Sequence, residues 1–320
     1  MSMTIESGQF DARWQRVLHD LSSQDWPAGC LYVVATPIGN LADLSPRALF
    51  ALQKADLIAA EDTRSSRVLL NAWGIETPMI AAHRHNEAQA AATLLRHLAQ
   101  GERVALISDA GAPAVSDPGG RIVSEVRAAG HAVRVIPGPS AVIAALMGSG
   151  ATSDQNPAFV FAGFAPQKSV ARQTWLKTWC AVPAAILFFE SPHRVRSTVI
   201  DIAAIAGNER AVTVARELTK RFEQIATMPA GQLADWFAQD SQRSMGEFVL
   251  IVHEAAGKEA AALGQEAEQI VAAMLRSYSV KDTARLLAAF SGLPRDVLYA
   301  KALVLKRQGE EAQEGEARDE

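Results

Sequence analysis

The chain has 320 residues, of which 49% are hydrophobic and 21% charged, and its formal net charge is −4. This composition excludes a chain that is disordered throughout and provides for about two packed domains. The two cysteines, Cys30 and Cys180, are far apart, which excludes a disulfide framework or a zinc cluster and is typical of a reducing compartment.

The amino-terminal segment is not predicted to be a targeting signal. Its first residues lack a basic stretch followed by an apolar one, and no apolar run approaches the ~18–20 residues of a membrane-spanning helix. Residues 1–28 are polar, with a helical pattern at 10–21, and we predict a flexible extension. These features favour a cytoplasmic protein without a membrane partner.

The first half of the chain alternates short apolar runs with helical patterns. Strands are predicted at residues 31–34, 57–60, 80–82, 104–107 and 133–136. Helices are predicted after Ser45, a capping residue followed by proline, and at 87–100, 119–129 and 140–147. This alternation predicts βαβ units and a largely parallel sheet in a first α/β lobe, residues 29–152.

The second half repeats the same pattern with wider spacing. Strands are predicted at 159–162, 186–189, 211–215 and 248–252, and helices at 167–179, 194–206 and 231–238. The polar stretch 151–157 follows Gly-Ser-Gly and contains a proline, so it is the predicted boundary of a second α/β lobe, residues 153–256.

From residue 264 onward the pattern is entirely helical. Helices are predicted at 267–278, 280–290 and 294–306, with a tight turn at 291–293, which is the outline of a helix-turn-helix. Between residues 276 and 307 there are seven basic and two acidic side chains, compatible with a nucleic-acid surface or with a solvated helical face. We predict a basic helical module at 264–307 and a disordered acidic tail at 308–320.

Polar residues, glycines and prolines follow nearly every predicted strand. The clusters lie at 36–40, 61–64, 83–87, 108–120, 137–140, 190–194 and 216–220. Each alone can be an ordinary turn or helix start. Because ligands of open α/β sheets bind outside the carboxyl ends of the strands, seven such clusters together indicate a ligand site.

Several common motifs are absent from the sequence. No G-x-G-x-x-G follows a strand, no G-x-x-x-x-G-K-[ST] occurs, and no G-x-S-x-G occurs, which disfavours a standard dinucleotide-binding domain, a P-loop hydrolase and an elbow-type hydrolase. His83, His85 and Glu87 lack a matching further ligand, so no metal is predicted. The glycines and prolines instead suit an apolar slot lined by backbone, for an amphipathic ligand such as an adenosine.

Eight motifs in order resemble the bacterial 16S ribosomal RNA (cytidine-2′-O)-methyltransferases, a family of the tetrapyrrole methylase superfamily. They are LYVVATPIGNLADLSPRAL (31–49), AAEDTRSSRVLL (59–70), HRHNE (83–87), SDAGAPAVSDPG (108–119), IPGPSA (136–141), FFESPHR (188–194), ARELTK (215–220) and GEFVLIV (246–252). Two positions depart from the family pattern: Ala112 stands where the family usually has threonine, and Pro192 where some relatives do.

The resemblance implies two α/β lobes with S-adenosylmethionine in the cleft between them, in a homodimer. It implies methyl transfer to a ribose 2′-hydroxyl of a cytidine in 16S rRNA, in the decoding region of the small ribosomal subunit. Carried over by position, the cofactor-binding residues are Ile38, Asp109, Ala112, Pro113, Val115, Ser140, Ala141, Phe189, Leu218 and Phe248.

The transfer needs a proton acceptor, because a 2′-hydroxyl is a very weak acid. The acceptors at the predicted cleft are Glu61, Asp62, Asp109, Glu190 and Glu217, and the cations are Arg64, His193, Arg194, Arg216 and Lys220. Asp62 with Arg64, and Glu217 with Lys220, are favoured as catalytic pairs, because each combines an acid and a base within three residues. A salt bridge at a helix start is the alternative for each pair.

RNA contacts are expected from basic and hydrogen-bonding residues around the cleft and in the helical module. They are Arg84, His85, Asn86, His193, Arg194, Lys281, Arg295 and Lys301. Two other functions stay open. One is a precorrin or uroporphyrinogen methylase of the same fold, which the basic helical module disfavours. The other is a nucleic-acid-binding regulator with an inactive enzyme domain, which the intact cleft motifs disfavour.

Overall fold

A five-stranded parallel sheet forms the centre of the first lobe. We describe the protein from a computed structural model covering residues 15–17, 19–154, 156–255, 265–291, 295 and 298–306. The strand order is β3-β2-β4-β1-β5. The strands are β1 (Cys30–Val34), β2 (Leu57–Ala60), β3 (Met79–Ala81), β4 (Val104–Ile107) and β5 (Ala132–Ile136). The largely parallel sheet predicted for this half is therefore confirmed.

Helices cover both faces of this sheet, as expected for parallel strands joined by crossovers. Ser45 caps the first of them, its hydroxyl accepting a hydrogen bond from the Ala48 N–H at 3.1 Å. One buried cluster contains Leu52 and Leu70, and the cluster on the opposite face contains Leu94 and Val126. The helices are α1 (Pro46–Lys54), α2 (Thr63–Ala72), α3 (Glu87–Ala99), α4 (Gly120–Ala128) and α5 (Ala141–Ser149).

The last part of the predicted extension packs on the first lobe. The Trp26 ring lies 5.6 Å from that of Tyr32 and 5.1 Å from that of Phe50, measured between centroids. Arg134 on β5 forms an ion pair with Asp25 at 2.8 Å. These contacts join residues shortly before β1 to the sheet. Residues 1–14 and 18 lie outside the described part of the chain.

The second lobe has a mixed sheet of order β6-β7-β10-β8-β9. The pair β6–β7 is parallel and the other three pairs are antiparallel. The expectation that this half repeats the parallel pattern is therefore wrong: β8 turns straight back into β9, and β10 inserts between β7 and β8. The strands are β6 (Phe159–Phe164), β7 (Ala185–Glu190), β8 (Ala211–Arg216), β9 (Gln224–Pro229) and β10 (Phe248–Val252).

Three helices pack beside this sheet: α6 (Ser169–Cys180), α7 (Val195–Ala206) and α8 (Leu233–Ala238). A buried ion pair joins the first two, with 2.6 Å between an Arg172 Nη2 and an Asp201 carboxylate oxygen. The predicted helix at 231–238 is split, since residues 230–232 form a 3-10 turn before α8.

The chain divides into two units after Glu254, and the described residues of the second unit are mainly helical. It contains α9 (Gln265–Leu275), α10 (Val280–Ser291) and helical residues at 298–306. Val271, Ala284, Leu298 and Ala302 are buried. Ser291, expected in a turn, belongs to α10, while residues 292–294 and the acidic tail lie outside the described part. No described helix is long and apolar enough to cross a membrane.

Candidate active site

The central loop, residues 108–120, leaves β4 in the middle of the first sheet. The Thr36 hydroxyl donates to the Ser108 carbonyl at 2.9 Å, and the Thr36 N–H donates to the Gly111 carbonyl at 3.0 Å. Gly111 has a φ of 96°, and a β-carbon there would lie 2.9 Å from the Pro139 carbonyl oxygen. The glycine is required because the central loop packs tightly against the loops that follow β1 and β5.

Among the described residues, the non-glycine residues with a left-handed backbone conformation all lie in two loops. Ala114 and Ser116 in the central loop have φ values of 69° and 63°. Glu217 and Thr219, in the loop between β8 and β9, have φ values of 51° and 65°. Such conformations cost on the order of 1–3 kcal/mol each and concentrate at ligand sites. This strain therefore marks both loops as candidates for binding or catalysis.

The second sheet brings three chain segments to one edge. Since β7 and β8 both run antiparallel to β10, their carboxyl ends lie beside its start. Glu190 at the end of β7 and Arg216 at the end of β8 both pair with Phe248, the first residue of β10. The loops after β7 and β8 therefore share an edge although their strands are not neighbours.

A cavity of about 630 Å³ lies between the two lobes and has an apolar floor. Leu218 and Phe248 are buried in this floor, with exposed fractions of 8% and 3%. The predicted cofactor residues that line the cavity are Ile38, Asp109, Ala141, Phe189, Leu218 and Phe248, and Lys220 lines it as well. The structure thus brings together residues that are up to 210 positions apart in the sequence (38 to 248).

Four other predicted cofactor residues belong to the same loops but lie outside the cavity lining. Val115 packs in the apolar cluster that also contains Ile38 and Ala141. Ser140 precedes α5 without a side-chain capping bond. Pro113 is buried and Ala112 is half-buried. Their cofactor contacts stay predictions.

Three carboxylates of the first lobe, Glu61, Asp109 and Asp117, line one side of the cavity and form what we call the acidic wall. The Ser65 hydroxyl donates to Asp109 at 2.6 Å. Oδ2 of Asp117 is buried without a hydrogen-bond partner among the described residues. Burial raises the pKa of both Glu61 and Asp117, and a neighbouring carboxylate adds to each rise. The acidic wall therefore favours a positively charged ligand.

We expect Asp117→Asn to stabilise the ligand-free protein at pH 7 by about 1 kcal/mol, because it removes a half-buried charge that has one oxygen without a hydrogen-bond partner among the described residues. The folded-state pKa of Asp117 is raised, so its protonated form favours folding and this contribution is lost as pH rises through that pKa. The gain should vanish below pH ~4, where the carboxyl is protonated in both states. Urea unfolding at both pH values measures it. Asp109→Asn, at an exposed carboxylate bonded to Ser65, is the control; an equal gain there would contradict the explanation.

Asp62 and Arg64 form a salt bridge at the start of α2. One Asp62 carboxylate oxygen accepts from the Arg64 N–H at 2.8 Å, and the other lies 2.8 Å from the Arg64 guanidinium. Hydrogen bonds from Arg64 lower the pKa of Asp62 to about 2. Neither side chain lines the cavity. The pair has the geometry of a capped helix start, and its catalytic role stays a prediction.

Lys220 links two carboxylates at the cavity edge. Its ammonium lies 3.0 Å from Glu217 and 2.9 Å from Glu247. Burial opposes ionisation of Glu217, but hydrogen bonds from the Glu247 N–H and Lys220 outweigh it and lower its pKa. A β-carbon at Gly39 would lie 3.0 Å from Cε of Lys220, so the loop after β1 in the first lobe packs closely against the Lys220 side chain. The pair therefore orders the loop after β8 against the opposite lobe.

The Glu190 carboxylate has partners for both of its oxygens. Its carboxylate accepts from the Ser191 N–H at 2.7 Å and the Thr198 hydroxyl at 2.6 Å, and it pairs with Arg194 at 2.8 Å. The carboxyl side chain is fully buried. Glu190 thus fixes the start of α7 against β7, and Arg194 is partly occupied by this ion pair.

The predicted RNA-binding residues are distributed over three regions. Before α3, Arg84 and His85 are exposed, while the Asn86 side chain builds the turn by bonding His83 N–H and the Ala81 carbonyl. His193 is exposed beside Arg194. In the helical unit, Lys281 and Arg295 are exposed and Lys301 is half-buried. Their RNA contacts stay predictions.

The turn before α3 is organised by hydrogen bonds. The rings of His83 and His85 are 6.1 Å apart, and Glu87 accepts from the N–H groups of Gly119 and Arg121 at 2.9 and 3.1 Å. Glu87 thus caps α4 and holds the end of the central loop. No group of three potential metal-ligating side chains was found within the described ranges.

Sequence reasoning missed three residues of the lining: Phe164, Glu247 and Val249. Phe164 was missed because the predicted strand stopped at residue 162. Glu247 and Val249 flank Phe248 at the start of β10, and their position became visible only with the antiparallel insertion of that strand. The motif GEFVLIV was the available signal for both.

Two family models match the chain. Residues 30–234 match the model described as Tetrapyrrole (Corrin/Porphyrin) Methylases, and residues 261–306 match the RsmI C-terminal HTH domain. The chain is 43% identical over 285 residues to "Ribosomal RNA small subunit methyltransferase I" of Pseudomonas aeruginosa, covering 88% of this chain and 99% of that protein. It is 44% identical over 283 residues to the protein of the same name from Escherichia coli O157:H7, covering 88% and 97%.

Solved structures show the same fold at low sequence identity. A cobalt precorrin-4 methyltransferase superposes with a TM-score of 0.51 at 18% identity, covering 70% of this chain and 95% of that one. A uroporphyrin-III C-methyl transferase from Thermus thermophilus, complexed with S-adenyl homocysteine, gives 0.50 at 17% identity, covering 70% and 96%. These likenesses concern the fold alone.

Proposed function

Because this chain belongs to the tetrapyrrole methylases and, among them, to the family of the ribosomal RNA small subunit methyltransferases I, we propose that it methylates the ribose 2′-hydroxyl of one cytidine in 16S rRNA. The methyl donor is S-adenosylmethionine and the target lies in the decoding region of the small subunit. The observation that supports the proposal most strongly is the 43% identity over 88% of the chain, and the separate match of residues 261–306 to the RsmI C-terminal model adds to it.

The cavity fits S-adenosylmethionine. Its volume of about 630 Å³ is in the range of small-molecule sites, and its floor is apolar. The acidic wall faces it, and the buried, unpartnered oxygen of Asp117 lacks a positive or hydrogen-bonding group. The cofactor has an apolar adenosine portion, a sulfonium and an ammonium. We propose that Ile38, Ala141, Phe189, Leu218 and Phe248 hold the apolar portion, and that Asp109 and Asp117 face the positive charge.

S-adenosylmethionine, when bound, supplies an electrophilic methyl group. The chain must then hold the 2′-oxygen about 3 Å from that group and accept the hydroxyl proton. We propose that Glu61 accepts it. Glu61 lines the cavity, and its carboxylate accepts only one long hydrogen bond from the described residues, from the Asp109 N–H at 3.5 Å. Its raised pKa makes it a stronger base than an ordinary glutamate.

The residues favoured from the sequence have supporting roles in this proposal. Asp62 and Arg64 fix the start of α2 directly after Glu61. Glu217 and Lys220 order the strained loop that contributes Leu218 to the floor. We propose that exposed side chains of the first unit, Arg84 and His193, and Lys281 in the helical unit bind phosphates of the RNA. We further propose a cytoplasmic homodimer.

The decisive experiment offers the purified protein labelled S-adenosylmethionine and small ribosomal subunits from cells without such a methylase. We expect about one methyl group per subunit, recovered as alkali-resistant 2′-O-methylcytidine. Uroporphyrinogen III, offered in parallel, should remain unlabelled. Label in uroporphyrinogen, or none in RNA despite cofactor binding, would refute the substrate assignment; a failure to bind the cofactor would refute the whole proposal.

A further inference from the structure

Strand β6 contains a bulge beside the cavity. Phe161 pairs with Leu187 and Phe164 pairs with Phe189, so three steps on β6 oppose two on β7. Gly163, inside the bulge, has a φ of 74°. Side chains of a regular strand alternate, and residues three apart would face opposite sides of the sheet. The extra residue instead puts Phe161 and Phe164 on the same side, where both contact one ring.

That common contact is Phe189. The ring of Phe164 lies 5.2 Å from it at 63°, and the ring of Phe161 lies 4.9 Å from it at 62°. Phe164 lines the cavity, yet 57% of its surface is exposed. The bulge therefore holds an aromatic ring in a fixed orientation with much of its surface open to a ligand.

We propose that Phe164 is the platform on which the base of the target nucleotide stacks. This inference rests on the proposed function. Unpaired bases that proteins recognise in RNA commonly stack on aromatic side chains. Stacking would fix the plane of the base and, through the glycosidic bond, the position of the 2′-hydroxyl.

The position of Phe164 favours the RNA base over the adenine of the cofactor. The floor residues Leu218 and Phe248 are buried, whereas Phe164 is the exposed aromatic ring of the lining. Lys168, four residues further on, is exposed and forms no ion pair with any described residue. Lys168 is thus available to bind a phosphate of the RNA backbone.

The bulge is also close to the central loop. A β-carbon on Gly163 would lie 3.5 Å from Oγ of Ser116, which has a φ of 63°. Asp117 of the acidic wall is the next residue. The stacking platform and the wall that carries Glu61 are thereby connected across the lobes, as positioning a nucleotide between them requires.

The test compares Phe164→Leu and Phe164→Trp, with Phe159→Leu as the matched control. Phe159 lies on the same strand, is 42% exposed and is outside the cavity lining. We expect Phe164→Leu to lower kcat/KM for small subunits by about 5- to 150-fold, the range for loss of one base–aromatic stack. Phe164→Trp should restore most of the activity, Phe159→Leu should match wild type, and the Kd for S-adenosylmethionine should stay unchanged in all three.

A second measurement separates stacking from a structural effect. Subunits reconstituted with an abasic ribose at the target position keep the 2′-hydroxyl but lack the base. Wild-type protein should lose about the same factor on this substrate as Phe164→Leu loses on the normal one, and the combination should lose no more. Independent, multiplying losses, a weakened cofactor Kd, or full activity of Phe164→Leu would each overturn the platform while leaving the proposed function intact. Wild-type protein that transfers no methyl group to RNA would overturn both.

Discussion

Replacing Glu61 by glutamine is expected to lower the rate of methyl transfer by about 10²–10⁴-fold at saturating cofactor and RNA. Glutamine keeps the shape of the side chain and its hydrogen-bonding reach but cannot accept the 2′-hydroxyl proton. The measurement is single-turnover transfer of label into small subunits. Cofactor Kd, measured separately, distinguishes a loss of chemistry from a loss of binding.

Asp62→Asn is the matched control, because the two acids are adjacent in the chain and have opposite surroundings. Asp62 caps a helix at the surface, and its amide replacement retains most of that cap. We expect Asp62→Asn to keep activity within about threefold of wild type, since the exposed Asp62–Arg64 ion pair is screened by solvent and lies outside the cavity lining. The reverse ranking of the two variants would assign the base to Asp62.

The pH dependence of kcat/KM distinguishes Glu61 from Asp62 as the proton acceptor independently of the variants' rates. The pKa of Glu61 is raised, so wild-type kcat/KM should fall as pH decreases through a value above that of an ordinary glutamate. Asp62 has a pKa of about 2, so a profile governed by it would be flat down to pH ~3. The acidic limb should disappear in Glu61→Gln, leaving a low and pH-independent rate.

The second large effect concerns stability. Arg172→Leu is expected to lower the free energy of unfolding by about 3–5 kcal/mol, because it leaves the buried carboxylate of Asp201 without its cation. Arg172 is 2% exposed, donates to Asp201 at 2.7 Å through Nε, and reaches the carbonyls of Pro166 and Gln167. The loss therefore includes contacts that hold the chain directly after Phe164. Urea unfolding at pH 7 measures it.

A double variant tests this cause. Adding Asp201→Asn removes the unpaired charge while the amide still accepts from Ser169, and it should restore at least half of the loss. Burial opposes ionisation of Asp201, but hydrogen bonds from Gln173 and Arg172 outweigh it and lower its pKa. The stabilisation it provides is thus present above the unfolded-state pKa and lost as pH falls through the folded one. A deficit for Arg172→Leu that persists unchanged in acid, or stays under about 1 kcal/mol at pH 7, would contradict the ion-pair explanation.

Continuous apolar runs made the buried strands predictable. The limits predicted for β2, β4 and β10 are those observed, because each is an unbroken hydrophobic stretch that is buried on both faces. Strand β9, QIATMP, was missed since it is a half-exposed edge strand without such a run. The antiparallel direction of β10 could not be predicted either, because apolar runs carry no information about which strands are neighbours or how they run.

Some residues of the site could be predicted from the sequence, and others became visible only in the structure. The floor residues were accessible because the motifs after the strands resemble those of a known family. The position of Phe164 depends on a bulge, and the buried oxygen of Asp117 without a hydrogen-bond partner depends on how the surrounding loops fold together. The sequence favoured Asp62 over Glu61 as the catalytic acid, whereas the structure places Glu61 and not Asp62 in the cavity lining. Only packing decides which of two adjacent acids faces a cavity.

The place of β10 has a consequence for synthesis on the ribosome. The last strand of the α/β region to emerge is the central one of its sheet, and it carries Phe248 and Val249 of the cavity. Until it is translated, the nascent chain has two long apolar strands, β7 and β8, with open edges and no partner between them. Such edges promote misassociation. A chain stalled before residue 248 should therefore need chaperone protection and bind no cofactor, so that methylation competence arises in one step when β10 has been translated.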